Sequence, residues 1–219
     1  MSQRYAIYYA PAPGTPWWSF GAHWLGRDES SGAVLPQSPP PTLAADLFER
    51  ITAEPRRYGF HATLKAPFRL AADGDARVLV ERVRTLAGRL ESLPLGALVP
   101  VFMDGFVALV PPARNPALSD LAAACIKDLD DLRVPLGEAD RARRRIDPSD
   151  ARALDLLERY GYPHVLARFR FHMTLTGPTD TALAARGVSG IADTAPQLHA
   201  ETPLILARPC VFFESVLAC

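Results

Sequence analysis

The sequence has little of several features that mark particular classes of protein. It contains three cysteines, Cys125, Cys210 and Cys219, an odd number with no C-x-x-C spacing. This pattern argues against a disulfide framework or a structural zinc site and fits a reducing compartment. No stretch approaches the roughly 18 consecutive apolar residues of a membrane helix. The N-terminal run, MSQRYAIYYAPAP, is too short and too proline-broken for a signal peptide. We therefore expect a cytoplasmic protein with no membrane partner.

The chain also lacks an excess of either charge. Lysine plus arginine and aspartate plus glutamate both number 24, and only Lys65 and Lys127 are lysines. A protein that binds long nucleic acid through its phosphates usually shows a basic excess. We therefore expect a small substrate rather than long nucleic acid, and the oligomeric state is left open.

The hydrophobic patterning predicts an α+β protein with enough apolar content, 48%, to bury a core as one domain or two small lobes. The predicted strands are RYAIYYAP (Arg4 to Pro11), YGFHATLKAPF, a hairpin around Asp104-Gly105, FRFHMTLTG and TPLILARPCVFFES. The predicted helices are Thr42–Glu54, a long helix from Asp73 or Asp75, Pro116–Leu132, one from about Pro148 to Tyr160 with Asp147 or Ser149 as its cap, and a weak one over Asp180–Gln197. The segment from Ala12 to Pro41 is predicted to be a loop, and its aromatic part, Trp17 to Asp28, could cover a cleft.

Two nearly identical five-residue strings stand out, FHATL from Phe60 and FHMTL from Phe171. Side chains alternate between the two faces of a strand. Each string therefore places its His and Thr on a polar face and its other residues on an apolar face. One such string is more often just the wet face of a half-exposed strand. Two copies with matching flanks favour two halves of one active site, and their similar surroundings suggest a duplicated unit.

Paired His and Thr side chains suit the cleavage of a phosphodiester. Histidine titrates near neutral pH, so one imidazole can act as base while the other acts as acid. Threonine hydroxyls and a nearby cation can bind the non-bridging oxygens. Metal-site spacings are missing, since the chain has no H-E-x-x-H and no carboxylate beside either histidine. We therefore expect no metal and no cofactor.

The two H-x-T-L motifs, at His61 and His172, resemble those of the 2H phosphoesterase superfamily, which includes RNA 2′,3′-cyclic phosphodiesterases of the LigT type. The longer strings WLGRD, YGFHATLKAPF and YGYPHVLARFRFHMTLTGP look like a bacterial branch labelled as phosphonate metabolism proteins. The resemblance implies a single bilobal domain over residues 1–219. In it, two antiparallel sheets flanked by helices face a central cleft, with one motif (61–64 and 172–175) in each lobe.

The resemblance further implies that His61 and His172 are the catalytic acid and base and that Thr63 and Thr174 bind phosphate. Which histidine is acid and which is base stays open. Lys65, Arg170, Thr176 and Tyr58 flank the motifs as further candidates for substrate binding, and the basic run Arg141 to Arg145 could attract an anion.

The function implied is a metal-independent hydrolase that opens a small cyclic phosphodiester, such as a ribose cyclic phosphate in phosphonate catabolism. Two alternatives remain at this point. One is an enzyme that processes RNA 2′,3′-cyclic phosphate ends, and the other is a non-catalytic module that binds a phosphorylated metabolite.

Overall fold

The computed structural model describes residues 3–71, 74–144 and 146–214. Asp73, Arg145, Ser215 and Cys219, which entered the predictions above, lie outside these ranges. The strands are β1 (Arg4–Tyr9), β2 (Ala62–Phe68), β3 (Leu93–Pro94), β4 (Val99–Met103), β5 (Phe106–Val110), β6 (Met173–Thr174), β7 (Ile205–Leu206) and β8 (Cys210–Glu214). The helices are α1 (Pro16–Leu25), α2 (Ala45–Arg56), α3 (Ala76–Ala87), α4 (Pro116–Lys127), α5 (Glu138–Arg143), α6 (Ala151–Tyr160), α7 (Thr181–Ile191) and α8 (Thr194–Glu201), with a 3-10 turn at Leu166–Arg168.

The described strands form two antiparallel sheets flanked by helices, which confirms the predicted α+β class. The larger sheet has six strands in the order β4-β5-β6-β2-β1-β8, and the smaller pairs β3 with β7. The order is symmetric about the β6–β2 pair. Each central strand has an antiparallel neighbour that precedes it in the chain, β5 beside β6 and β1 beside β2. The outer strands are exchanged, because β4 follows the first motif but pairs with β5, and β8 follows the second but pairs with β1.

The expectation of one motif in each of two facing sheets is wrong. The two motif strands, β2 and β6, pair directly with each other in one sheet, with Ala62 opposite Met173. The smaller sheet contains neither motif. Both motifs therefore lie side by side on one surface.

The hairpin between β4 and β5 was predicted correctly. Asp104 and Gly105 both have positive φ angles, 49° and 88°. An Asp-Gly pair tolerates this conformation, and the resulting turn matches the twist of the strands it joins.

The segment predicted as a loop from Ala12 to Pro41 instead contains helix α1. The Thr15 hydroxyl accepts a hydrogen bond from the backbone N–H of Trp18, Pro16 opens the helix, and Gly26 ends it with a φ of 76°. Trp17 is fully buried and its Nε1–H donates to the Thr202 carbonyl at 2.9 Å. Trp17 and Trp24 are therefore part of the core, and Phe20 packs against it.

Helices cover one face of the large sheet and form the main core with it. Ala62, Leu64, Phe171, Met173 and Leu175 are all buried in this core, together with apolar residues of helices α1 to α4 and α7. The other face of the two motif strands is left to the polar residues. No helix in the described part of the chain is long and apolar enough to cross a membrane.

Candidate functional site

The two motifs lie on adjacent strands and are related by a local two-fold axis. Ala62, the central residue of the first motif, pairs with Met173, the central residue of the second, in an antiparallel ladder. This register places His61 opposite Thr174 and Thr63 opposite His172, at a typical cross-strand Cβ separation of about 5 Å. Ala62 and Met173 are buried on the helix side. The two histidines and two threonines therefore form one four-residue cluster, the His–Thr cluster, on the opposite face.

Both histidines are held in the same way. In each, ring Nδ1 lies within hydrogen-bond distance of the carbonyl oxygen two residues earlier, Gly59 for His61 (2.9 Å) and Arg170 for His172 (2.8 Å). A carbonyl oxygen only accepts, so Nδ1 carries the proton and donates it. In the neutral ring Nε2 is then left with a lone pair. Nε2 of His61 lies 3.4 Å from the Thr63 hydroxyl, which can donate to it.

The surroundings of the histidines differ, and so does the way their pKa values are shifted. Burial lowers the pKa of His61 to about 4, against the opposing effect of the Gly59 carbonyl. Its ring stacks on Tyr8, with 3.9 Å between ring centroids. Burial also lowers the pKa of His172, and the neighbouring Arg170 charge adds to this, while the Arg170 carbonyl and Asp104 act in the opposite direction. Both imidazoles are therefore neutral at neutral pH, and His61 is the harder one to protonate.

A cleft of about 550 Å³ opens over the cluster. His61, Thr63 and Thr174 line it, and a second hollow of about 240 Å³ is lined by Thr63 and His172. The two hollows share Thr63, and both reach Phe106 and Tyr162. Both hollows therefore open onto the His–Thr cluster.

Lys65 does not continue the polar face of β2, because a β-bulge interrupts the alternation. Tyr8 pairs with Thr63 and Ile7 with Lys65, so Leu64 is an extra residue on β2. The bulge turns Lys65 away from Thr63 and toward helix α4. There its Nζ donates to the Ile126 carbonyl at 3.2 Å and to Asp130 at 3.3 Å, in a site where Lys65 is only 2% exposed.

We expect the two partners of this ion pair to respond differently to substitution. Asp130→Ala leaves the buried Lys65 ammonium without its carboxylate, and we expect a loss of about 3 kcal/mol in the free energy of unfolding. Lys65→Met fills a similar volume without a charge and is expected to cost less than about 1 kcal/mol. Urea denaturation of both variants measures the two values. Equal and small losses would show that Lys65 is not held by Asp130.

The other three flanking candidates differ in their availability to a ligand. Thr176 is 1% exposed, and its hydroxyl accepts the backbone N–H of Val107 at 2.9 Å. Arg170 forms an ion pair with Asp104 at the mouth of the smaller hollow. Tyr58 is 41% exposed and lines the cleft. Tyr58 and Arg170 therefore remain candidates for ligand contact. Thr176 also lines the cleft, but its buried hydroxyl holds β5 to the end of the second motif.

Sequence reasoning missed several residues that the structure adds to the cleft. Arg4 and Tyr8 come from β1, Phe106 from β5, and Arg144 and Tyr162 from the segments around α6. Arg4 and Tyr8 could have been found, since strand alternation puts them on the face opposite the buried Tyr5, Ile7 and Tyr9. Arg144 belongs to the basic run noted in the sequence, but nothing local indicated that it reaches the cleft.

The chain belongs to a known sequence family. The model of the family described as "Protein of unknown function (DUF1045)" matches residues 63–217, well over half of the chain. The match includes the second motif completely and begins at Thr63 of the first. No solved structure matches the chain.

Two curated relatives carry the same name, "Ribose 1,5-bisphosphate phosphokinase PhnN". The protein from Janthinobacterium sp. (strain Marseille) is 40% identical over 174 residues, which are 79% of this chain and 38% of the relative. The protein from Laribacter hongkongensis (strain HLHK9) is 38% identical over 177 residues, which are 81% of this chain and 40% of the relative. This chain therefore spans about two fifths of the length of the relatives it matches.

These names contradict the expected hydrolase. A phosphokinase is a transferase and not a hydrolase. The names therefore contradict the cyclic phosphodiesterase activity that we inferred from the paired motifs, whether on a ribose cyclic phosphate or on RNA ends. The inference failed because a pair of His–Thr motifs does not by itself define the reaction that a site performs.

Proposed function

We propose that this chain binds a phosphorylated ribose at the His–Thr cluster and serves a ribose bisphosphate phosphokinase function in phosphonate metabolism. The observation that carries the proposal is the pairing of Ala62 with Met173, which brings two histidines and two threonines onto one face. Hydroxyl and imidazole groups that converge on one cleft can surround a phosphate group from several sides. The name of the relatives points to ribose phosphates as the ligand class.

Each residue of the cluster is proposed to make a different contact with the ligand. The hydroxyls of Thr63 and Thr174 donate hydrogen bonds to phosphate oxygens. His172 takes up a proton as the phosphate dianion binds and then pairs with it, because a nearby anion favours the charged imidazole. His61, whose pKa burial lowers further, stays neutral and its Nε2 accepts a hydrogen bond from a ribose hydroxyl.

The phosphoryl donor is proposed to bind elsewhere. In the glycine-rich loop G-x-x-x-x-G-K-[ST], which holds nucleotide phosphates in many kinases, the lysine follows a glycine. In this chain Lys65 follows Leu64 and Lys127 follows Ile126. The relatives are much longer than the matched segment, and we propose that their remaining part binds the donor.

We further propose that residues 1–219 form one duplicated domain related in fold to the 2H phosphoesterases. Both halves contribute strands to the same six-stranded sheet. The run β1, β2, α3, β3, β4 corresponds in order to β5, β6, α7, β7, β8, apart from helices inserted between these elements. This correspondence and the two H-x-T-L motifs support a kinship in fold and phosphate recognition, without a shared reaction.

Isothermal titration calorimetry with ribose 1,5-bisphosphate tests the proposed binding. Titrations at pH 7.5 in two buffers of different ionisation enthalpy measure the protons taken up. We expect uptake of up to one proton. We also expect affinity to rise as the pH falls from 8 toward 6.5, because the pKa of His172 is lowered in the free protein and raised by the bound dianion.

The two histidines provide matched variants for this titration. His172→Gln is expected to abolish proton uptake, whereas His61→Gln is expected to weaken binding and leave the uptake in place. No measurable binding by the native protein would overturn the proposed function. Binding without proton uptake would overturn the role given to His172.

A further inference from the structure

A strongly basic hollow adjoins the cleft at the end away from the His–Thr cluster. Its described lining has one carboxylate, Asp140, among five basic side chains, which are Arg4, Lys65, Arg69, Arg133 and Arg144. Lys65 and Arg133 are paired with Asp130, and Arg69 is paired with Asp140. Because Lys65 and Arg133 share a single carboxylate and Arg144 takes part in none of these pairs, the hollow keeps a positive excess that attracts anions.

Arg144 stands at the boundary between this hollow and the cleft. It lines both, as do Arg4 and Tyr162. The guanidinium of Arg144 lies over the ring of Tyr162, 5.2 Å from its centroid, and has no carboxylate partner among the described side chains. Stacking on an aromatic ring orients the planar guanidinium while its N–H donors stay available.

The bulge in β2 also shapes this end of the cleft. Lys65 turns toward α4 and does not line the cleft. The next residues of β2 after Thr63 that line the cleft are therefore Ala66 and Pro67. Thr63 and Arg144 line the same cleft, so one ligand in it can meet both the His–Thr cluster and the Arg144 guanidinium.

We propose that Arg144, oriented by Tyr162, forms a second anion subsite that selects ligands carrying two phosphate groups. One phosphate occupies the His–Thr cluster and the other meets the Arg144 guanidinium. The inference rests on the proposed function, in which the ligand is already a ribose bisphosphate, and adds to it the residue that recognises the second phosphate.

Calorimetric titration with ribose 5-phosphate and ribose 1,5-bisphosphate, run on the native protein and variants, tests the subsite. We expect the bisphosphate to bind the native protein about 10- to 100-fold more tightly, the range for a charge-assisted contact to phosphate. Arg144→Gln should remove most of this preference and leave ribose 5-phosphate binding within about twofold. Arg144→Lys keeps the charge and should restore part of it.

The control variant is Arg141→Gln, which removes a positive charge from the same basic run. Arg141 is exposed and pairs with Glu158, outside the cleft lining. We expect it to keep the preference for the bisphosphate, and thermal unfolding of all three variants checks that they fold.

The outcomes separate the subsite from the proposed function. Equal affinity of the two ligands for the native protein, or an Arg144→Gln variant that keeps its preference, would overturn the subsite while sugar phosphate binding still stands. Failure of both ligands to bind the native protein would overturn the proposed function and the subsite with it.

Discussion

The double variant Thr63→Val/Thr174→Val is expected to bind ribose 1,5-bisphosphate at least about 100-fold more weakly than the native protein. Valine matches threonine in shape, so the β2–β6 pair keeps its packing while two donors to the phosphate are lost. Each hydrogen bond to a charged group is worth about 1.5–3 kcal/mol, and 1.4 kcal/mol corresponds to a factor of ten in affinity. Calorimetry or competition against a fluorescent ligand measures the loss.

Thr176→Val is the matched control for this experiment, since it lies on the same segment only two residues from Thr174. Thr176 also lines the cleft, but it is only 1% exposed and its hydroxyl accepts the buried N–H of Val107, so we expect the variant to lose about 1–3 kcal/mol of stability and to keep its ligand affinity. If Thr176→Val weakened binding as much as the double variant, the special role of the His–Thr cluster would be refuted.

Gly21→Ala is expected to destabilise the protein by about 2–3 kcal/mol, because helix α1 lies against the first motif with no room for a side chain. A Cβ at Gly21 would stand 2.2 Å from Phe60 Cγ and 2.4 Å from Phe60 Cβ, contacts that force Phe60 to move. Phe60 immediately precedes His61, so we also expect weaker ligand binding. Chemical denaturation and calorimetry measure the two effects.

Gly187→Ala serves as the control because Gly187 also lies within a helix, α7. There a Cβ would meet only Val107 Cγ2 at 3.8 Å, an ordinary contact. Alanine has the higher helix propensity, so this variant should be unchanged or stabilised by up to about 1 kcal/mol. A similar loss in both variants would mean that crowding against Phe60 is not the cause.

The parts of the fold that the sequence predicted are those with local signals. The Asp104-Gly105 hairpin depends on two adjacent residues, and both adopt the positive φ angles that such a turn requires. Helix α6 was predicted close to its observed range, because its apolar residues recur at helical spacing. Helix α1 was missed because it is apolar on nearly all sides, as buried helices are, although Thr15, Pro16 and Gly26 carried ordinary start and stop signals.

The candidate site shows the same division between local and non-local information. Strand alternation correctly placed His61 and Thr63 on one face, and likewise His172 and Thr174. It failed at Lys65, because the bulge is defined by pairing with β1 and leaves no mark in the sequence of β2. The direct pairing of the two motif strands and the approach of Arg144 to the cleft also depend on residues far apart in the chain.

The choice of reaction could not be made from the motifs at all. The names of the longer relatives overturned the hydrolase that the His–Thr motifs alone suggested. The same type of site can serve different reactions in different proteins, so residue motifs alone do not assign the reaction.

The central claim, that the two motifs form one ligand site, is tested most directly by NMR of the histidine side chains. A ¹H–¹⁵N long-range correlation spectrum of the protein, titrated with ribose 1,5-bisphosphate, follows all five imidazoles at once. In the free protein we expect His61 and His172 to be neutral with the proton on Nδ1. On titration, the signals of both histidines should shift along one binding curve. The signals of His23, which lies in helix α1 with its ring hydrogen-bonded to the Pro36 carbonyl, should stay unchanged. Shifts in only one of the two motif histidines, or separate curves for each, would contradict a single shared site.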